Sequence, residues 1–251
     1  MSVLGDGFDI RALAVTFRDG ARLRRHDHPW GQLVYGASGV MRVITPDVAW
    51  LAPPTRAIWL PAGTAHEIEM RGAVAMRTLY LAPARAATLP SAPCVLAIVP
   101  LLRELILHIL KVGMLDPQIP EHERLAGLLV DLAAAAPAED LALPLPRDRR
   151  ARALADRLQA APDERADLAN LAKAAGASLR TQQRLFPQET GLSLEAWRQK
   201  ARLIHAVSQL SAGAAVTTTA LDCGYNSPSA FIAAFKRHFG VTPGQFARAG
   251  A

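Results

Sequence analysis

Three histidines, His26, His28 and His66, carry the most distinctive chemistry of the first half of the chain. His26 and His28 are two residues apart, so along an extended strand both point to one side. His66 opens the run His66-Glu67-Ile68-Glu69-Met70-Arg71, in which His66, Ile68 and Met70 share one face and Glu67, Glu69 and Arg71 the other. The apolar company places His66 inside. Inward imidazoles are the donors taken by a divalent transition metal such as zinc, iron, manganese or nickel. The same rings serve equally as the wall of a ligand pocket together with Trp30, or as hydrogen-bonded groups of a core. Trp30, Tyr35, Trp50 and Trp59 are open in the same way, as core aromatics or as pocket wall. No separate acid–base pair stands out, so no catalytic residue is assigned.

The elements that must position these groups read as short strands over roughly residues 8–83. Gln32–Tyr35, Gly39–Ile44, Ala57–Leu60, His66–Met70 and Met76–Leu81 are apolar or alternating runs separated by Gly and Pro turn signals. Strands at this spacing make a small barrel or sandwich. The period then changes. Leu101, Leu102, Leu105, Ile106, Ile109 and Leu110, and later Leu125, Leu128, Leu129 and Leu132, recur at helical spacing, with Pro117 and Pro120 between them. Residues 91–136 are therefore expected to be helical, packed on the barrel or forming a dimer seam. Proline-rich residues 137–149 are expected to be a linker.

Charge divides the chain further. From Arg147 onward there are 15 Lys and Arg against 8 Asp and Glu, whereas the preceding residues hold 13 against 14, so the formal net charge of +6 resides in the second half. A basic half beside a near-neutral one suits a polyanion-binding module joined to something else. No apolar run approaches the roughly 18–20 residues of a membrane span, and no membrane partner is expected. Met1 to Arg11 lacks a basic-then-apolar pattern, so no signal peptide is expected. Cys94 and Cys223 match no metal spacing and fit a reduced, cytoplasmic setting.

The second half reads as helices punctuated by Gly176, Gly191, Gly213, Gly224 and Gly240, and it contains two similar units. In Leu168–Phe186, a short helix with Leu168, Leu171 and Ala172 inward ends near Gly176. Ser178 then caps a second helix carrying Leu185 and Phe186. In Val216–Phe239, a helix with Ala220 and Leu221 inward stops at Gly224. Ser227 caps the next helix, with Pro228 at its first position and Phe231, Phe235 and Phe239 as a buried stripe. Thr242-Pro243-Gly244-Gln245 has capping-box spacing. Between the units, Leu194–Ser211 forms an amphipathic strut carrying Trp197, Leu203, Ile204, Val207 and Leu210. Helix, glycine turn and helix is the form that seats an exposed second helix in the major groove of DNA, and a rigid pair can reach successive grooves.

Gly191-Leu192-Ser193, Arg202-Leu203, and Cys223-Gly224-Tyr225-Asn226-Ser227-Pro228-Ser229-Ala230-Phe231 through Phe235 to Phe239-Gly240-Val241-Thr242-Pro243 resemble the AraC/XylS regulator family over about 95 residues, Arg152 to Phe246. The resemblance implies a bacterial transcription factor with two recognition helices in adjacent major grooves. By position, the first would present Arg180, Thr181, Gln183 and Arg184, types that bond guanine, adenine or phosphate. The second would present Ser229, Ala230 and Ala233, with Lys236 and Arg237 further along. Two residues depart from the family's pattern. Gln182 stands where an apolar residue is usual. Pro187 cannot donate to the carbonyl of Gln183, so the first reading helix is expected to end or bend there.

The first half resembles the cupin superfamily. Gly20, His26-Asp27-His28, Gln32 and Gly39 have its first motif spacing, with Gln32 in place of a glutamate. Pro61-Ala62-Gly63-Thr64-Ala65-His66 resembles its second motif, with Thr55 and Met70 replacing the outer Gly and Asn. The resemblance adds Gln32 to His26, His28 and His66 as a metal ligand.

The expected fold class is α+β and multidomain: a cupin-like sensor barrel over residues 1–90, helices over 91–136, a linker over 137–149 and an all-α domain with two helix-turn-helix units over 150–251. The expected function is sequence-specific binding of double-stranded DNA under control of a small molecule or metal. RNA polymerase is a partner if the protein activates, and a homodimer through one of the middle helices stands beside a purely intramolecular role for them. The alternative is a metal-dependent cupin enzyme with an appended helical domain.

Overall fold

A computed structural model describes residues 7–163 and 167–248. Of Met1 to Arg11, where no signal peptide is expected, the first six residues lie outside the described ones, as do the two chain ends of the expected domains. The chain divides into two compact units: the residues up to Thr45 with Trp50–Ala142, and Pro46–Ala49 with the residues from Leu143 onward.

The first unit is built on β1 (Ile10–Phe17), β2 (Arg22–His26), β3 (Gly31–Gly36), β4 (Val40–Ile44), β5 (Val48–Ala52), β6 (Arg56–Leu60), β7 (His66–Arg71), β8 (Val74–Leu81) and β9 (Cys94–Ala97). Helix α1 (Pro100–Val112), β10 (Met114–Leu115), α2 (Pro120–Ala135) and β11 (Ala138–Glu139) follow, and β12 (Ala142–Pro144) begins on the last residue of the first unit. One sheet has the order β10-β1-β8-β3-β6-β9-β11 and the other β12-β5-β4-β7-β2. Every residue of β3 and β6 is buried, the mark of strands covered on both faces. On one face, Leu33, Tyr35, Ala57, Trp59, Leu79 and Leu81 join Leu102, Ile106 and Ile109 of α1 and Ala126 and Leu129 of α2 in a single core. The alternate residues of β3 and β8, among them Gln32, Thr78 and Tyr80, take the opposite face. Gly39 turns the chain into β4 at φ +71°, where a Cβ would stand 2.6 Å from the carbonyl oxygen of Ala73. Only glycine suits that turn.

Three expectations for this half change. Leu101 and Leu128, counted in the apolar stripes, are 57% and 42% exposed. The stretch 91–136 contains a strand, β9, paired with β6 and β11. The expected linker is not a free one: Ala138–Glu139 extends the first sheet, Ala142–Pro144 edges the second, and Asp148 caps the next helix. Strands of two to four residues exist only through their tertiary partners, so no local periodicity announces them.

The second unit is helical: α3 (Arg149–Ala160), α4 (Leu168–Ala174), α5 (Leu179–Thr190), α6 (Leu194–Ser211), α7 (Val216–Asp222), α8 (Pro228–Phe239) and α9 (Pro243–Arg248). The 18 residues of α6, at 1.5 Å each, make a strut of about 27 Å packed against α3, α5, α7 and α9. Trp197, Leu203, Ile204, Val207 and Leu210 are all buried along it. Three of these helices, α5, α6 and α8, start on a serine cap. The hydroxyls of Ser178, Ser193 and Ser227 accept from the backbone N–H groups of Thr181, Ala196 and Ala230. Thr242 and Gln245 form a reciprocal box, with Thr242 N–H donating to Gln245 Oε1 at 2.9 Å and Gln245 N–H to Thr242 Oγ1 at 3.3 Å.

Candidate nucleic-acid interface and effector site

Helix α5 is fixed from below and open above. Leu185 and Phe186 are buried, Phe186 against Trp197 of α6 with ring centroids 5.3 Å apart. Gln182 is buried as well, and its side-chain amide donates to the carbonyl of Arg150 in α3 at 3.1 Å. Arg180, Gln183 and Arg184 are exposed together on the other face. Thr181 is half-buried, and its hydroxyl pairs with that of Ser178 at 2.9 Å, so it is the least available of the four. The helix does not end at Pro187: α5 runs through it to Thr190 and ends on Gly191 in the left-handed region. Pro187 lies exposed in the last turn, so the missing donor leaves a carbonyl to solvent rather than to a core. The Thr190 hydroxyl donates to the carbonyl of Phe186 at 2.7 Å and supports that turn.

Helix α8 is held by aromatics. Phe231 and Phe235 are fully buried, with Tyr225, Phe239 and Phe246 stacked edge-on or tilted at centroid distances of 4.6–5.6 Å. Its exposed surface carries Ser229, Ala230 and Ala233, then Lys236 and Arg237. Leu221, expected inward in α7, is instead 53% exposed; Thr219 and Ala220 are the buried residues there. A seven-residue helix has room for one inward pair per turn, and the pair falls one position earlier.

In the first unit, the structure brings His26, His28 and His66 together. Cross-strand pairing sets His26 directly opposite His66, with ring centroids 4.4 Å apart. His28 lies beyond the end of β2 rather than within it, and its ring is 5.5 Å from that of His66. One ring nitrogen from each lies within 4.8 Å of the other two. Each Nδ1–H donates to a backbone carbonyl two residues away: His26 to Arg24 at 2.8 Å, His28 to Trp30 at 2.8 Å and His66 to Thr64 at 2.7 Å. That arrangement fixes one tautomer in all three and leaves Nε2 as the atom with a free lone pair. His66 is completely buried and its Nε2 has no hydrogen-bond partner. Burial pushes its pKa down to about 4, so the ring is neutral at neutral pH.

Gln32 Oε1 stands 3.0 Å from His28 Nε2. The Gln32 amide N–H donates to Thr78 Oγ1 at 3.0 Å, and the Thr78 hydroxyl donates in turn to the carbonyl of Leu33 at 3.2 Å. Tyr80 lies edge-on to His28 at 5.2 Å. Trp30 is buried, with the Arg11 guanidinium 5.0 Å over its ring. Three imidazole nitrogens, one of them the buried His66 Nε2 without a partner, and an amide oxygen fit a divalent transition ion. Tyr35 and Trp59 belong to the core beneath α1 and α2. Thr78 and Tyr80 escaped the sequence reading because they reach the histidines only through strand pairing. Gln32 lies opposite Tyr80 and diagonal to Thr78 in the β3–β8 register.

Family models match almost the whole chain. Residues 7–167 match the AraC-like ligand binding domain, and residues 171–249 match a helix-turn-helix domain. The chain belongs to the AraC family. It is similar to the HTH-type transcriptional regulator NimR of Escherichia coli, 34% identical over 221 residues, covering 88% of this chain and 81% of that one. It is also similar to the HTH-type transcriptional regulator RipA of Corynebacterium glutamicum, 38% identical over 103 residues, 41% of this chain and 31% of that one. Among solved structures it aligns with ToxT from Vibrio cholerae, bound there to a naphthalenyl butenoic acid, at 10% identity and a TM-score of 0.43, covering 97% of this chain and all of that one. This AraC-family protein is a DNA-binding transcriptional regulator with a cupin-like ligand-binding unit ahead of its helix-turn-helix unit. Its relatives are regulators, and no helix among the described residues is long and apolar enough to cross a membrane.

Proposed function

We propose that the protein selects its operator chiefly through α5, while α8 secures the neighbouring contact by close approach and by phosphate binding. The observation that carries this is the outward grouping of Arg180, Gln183 and Arg184 on a helix whose other side is locked into the core. Arginine and glutamine make bidentate contacts to guanine and adenine, whereas serine and alanine offer close packing and little hydrogen-bonded readout. Lys236 and Arg237 in the last turn of α8 serve as phosphate contacts.

The effector acts in the first unit at the histidine cluster. His26, His28 and His66, with Gln32, hold a divalent transition metal, or Trp30 and the three rings line the seat of a small molecule. When bound, the ion supplies a positive centre that ties β2, the segment after it and β7 to one point. The effector shifts an equilibrium between DNA-competent and incompetent forms by its differential affinity for them. The protein works in the cytoplasm as a regulator rather than an enzyme, as a homodimer through α1 or α2, and it contacts RNA polymerase where it activates.

The test is recovery of genomic fragments retained by the full-length protein, with and without zinc, nickel or cobalt, at several salt concentrations. A shared motif whose retention weakens with salt supports the reading. Unselective retention of all fragments overturns it.

A further inference from the structure

The start of α3 is held from two directions, by the turn between β4 and β5 and by the far end of α5. The chain passes between the two units three times, at 45/46, 49/50 and 142/143, because Pro46–Ala49 folds as part of the helical unit. Within that unit the turn holds the segment ahead of α3. Leu145 N–H donates to the Asp47 carbonyl at 2.7 Å, and Arg152 Nη1 donates to the Pro46 carbonyl at 3.3 Å. The Arg147 guanidinium donates through Nε and Nη2 to the two carboxylate oxygens of Asp47, the second at 2.6 Å. The hold from α5 is Glu189. Its Oε2 accepts from the backbone N–H of Arg147 at 2.7 Å and from that of Asp148 at 3.1 Å, donors at a helix start that no helical carbonyl takes. A carboxylate also suits the positive end of the α3 dipole. Gln182, two turns earlier on α5, donates to the Arg150 carbonyl of the same helix. Glu189 stands in this place because α5 runs on past Pro187 to Thr190.

We infer that Glu189 and Asp47 are positioning residues for operator recognition: the Pro46–Ala49 turn and the last turn of α5 clasp Arg147 and Asp148 between them, so that movement of the turn is passed on to the tilt of the reading helix. This rests on the reading that α5 selects the operator. Upstream of the turn, Ile44 lies two residues before Pro46 and pairs with Glu67, the neighbour of His66 in β7. Downstream, the Asp148 side chain caps the 12-residue α3 by accepting from Arg150 N–H at 2.9 Å, and a capped helix moves as a body. The Pro144 carbonyl is pinned by Trp197 Nε1 of α6 at 2.6 Å, so residues 145–148 form a short lever beyond a fixed point. Asp47 and Arg147 are 46% and 76% exposed. Their ion pair therefore adds little stability and is made and broken cheaply, as a transmitted contact must be. Small tilts matter to the readout, because base contacts hold only within about 0.5 Å and 10–20° of the productive geometry.

The experiment uses the full-length protein and the DNA motif recovered from the retained genomic fragments. Gel-shift titrations at several salt concentrations measure affinity for the motif and for its single-base variants, with wild type, Glu189→Ala, Glu189→Gln, Asp47→Ala and Arg180→Ala. Glu189→Ala lowers affinity about 2- to 10-fold and narrows the preference for the motif over its single-base variants. The salt slope, which counts phosphate contacts, stays as in the wild type. Glu189→Gln keeps an acceptor oxygen and restores most of the loss. Asp47→Ala narrows the preference in the same way with a smaller loss, below about 5-fold. Coupling is reciprocal, so binding of the motif slows hydrogen exchange at the Leu145 amide in the wild type and does not in Glu189→Ala. Equal slowing in both would mean that DNA covers this segment directly, and would overturn the inference. If no motif is recovered, or Arg180→Ala selects as the wild type does, the reading of α5 falls and takes the inference with it. If Arg180→Ala loses selectivity while Glu189→Ala keeps it, the inference alone falls. Glu189 is exposed, so its variants are expected to fold, and thermal melts check that. Should Glu189→Ala melt early, the near-isosteric Glu189→Gln and the surface variant Asp47→Ala decide by the same selectivity ratio.

Discussion

The two helix-turn-helix units share a plan and differ in what holds them and what they offer. The second is fastened by a column of rings from Tyr225 through Phe231, Phe235 and Phe239 to Phe246, and its outer surface offers small side chains and the apolar Ile232 before Lys236 and Arg237. The first is fastened by one aromatic pair, Phe186 with Trp197, and by a buried polar tie from Gln182 to α3. Its outer surface carries three long side chains able to read bases. Rigidity and readout are thus distributed unequally: the unit with the firmer core has the plainer face. A helix that grips without reading gains most from a fixed position, because small side chains tolerate no gap between protein and DNA.

The strongest way to break this contrast is Phe235→Ala. Removing a fully buried ring at the centre of the column costs about 3–5 kcal/mol, enough to open the second unit. Cys223 reports the event. It is fully buried, and burial pushes its thiol up to about 12. Iodoacetamide at pH 8 therefore leaves it unmodified in the wild type and labels it rapidly in Phe235→Ala. Slow labelling in the variant, with an unchanged melt, would show that the column is not what holds the unit.

Next in size is the readout itself. Arg180→Ala is expected to lower affinity for the best operator by about 1–3 kcal/mol, roughly 5- to 150-fold, and to relax preference at one base position. Ser229→Ala, at the matching place on α8, is expected to stay within about 0.5 kcal/mol. Gel-shift titrations on the selected operator compare the two directly. Equal losses would mean that α8 reads as much as α5 does.

A smaller effect separates the turns that end a helix in each unit. Gly191 and Gly224 both have φ +73°, but a Cβ on Gly191 meets nothing within 4 Å, while one on Gly224 would stand 2.8 Å from the Arg202 guanidinium and 3.2 Å from the Asp163 Cα. Gly191→Ala carries the left-handed penalty of about 1 kcal/mol. Gly224→Ala carries that and the displacement of Arg202, whose Nε–H otherwise donates to the carbonyl of Pro162 at 2.9 Å. Chemical denaturation should therefore place Gly224→Ala below Gly191→Ala in stability; the reverse order would mean that Arg202 moves aside freely.

Local chemistry is what could be read in advance. The serine caps at 178 and 227 and the Thr242–Gln245 box depend on residues three apart, and the structure has them as the spacing implies. The inward face of His66, Ile68 and Met70 followed from alternation alone. What depends on distant partners was illegible. Strands β9, β11 and β12 are two to four residues long and exist by pairing, and Thr78 meets Gln32 across 46 positions of sequence. The helix end expected at Pro187 was misplaced for a related reason: a proline is costly in a buried turn, yet sequence does not say that this turn faces solvent.

Gln182→Leu gives the smallest expected change and bears most directly on why the first unit is fastened differently. The buried amide donates one hydrogen bond to the Arg150 carbonyl, while its own oxygen, Oε1, has no partner. A buried acceptor left unpaired costs about 1–3 kcal/mol, and one neutral hydrogen bond returns about 0.5–1.5 kcal/mol. Leucine is close in volume, removes the unpaired oxygen and keeps the packing, so the variant is expected to be as stable as the wild type or about 1 kcal/mol more stable. Operator affinity is expected to change less than about twofold, since Phe186 and Trp197 still seat α5. A loss above about 1 kcal/mol in the melt would mean that the polar tie to α3 is worth more than its unpaired oxygen costs. A loss of operator affinity with no loss of stability would mean that the tie sets the pitch of α5 rather than its strength, and that the first unit depends on orientation as the second depends on rigidity.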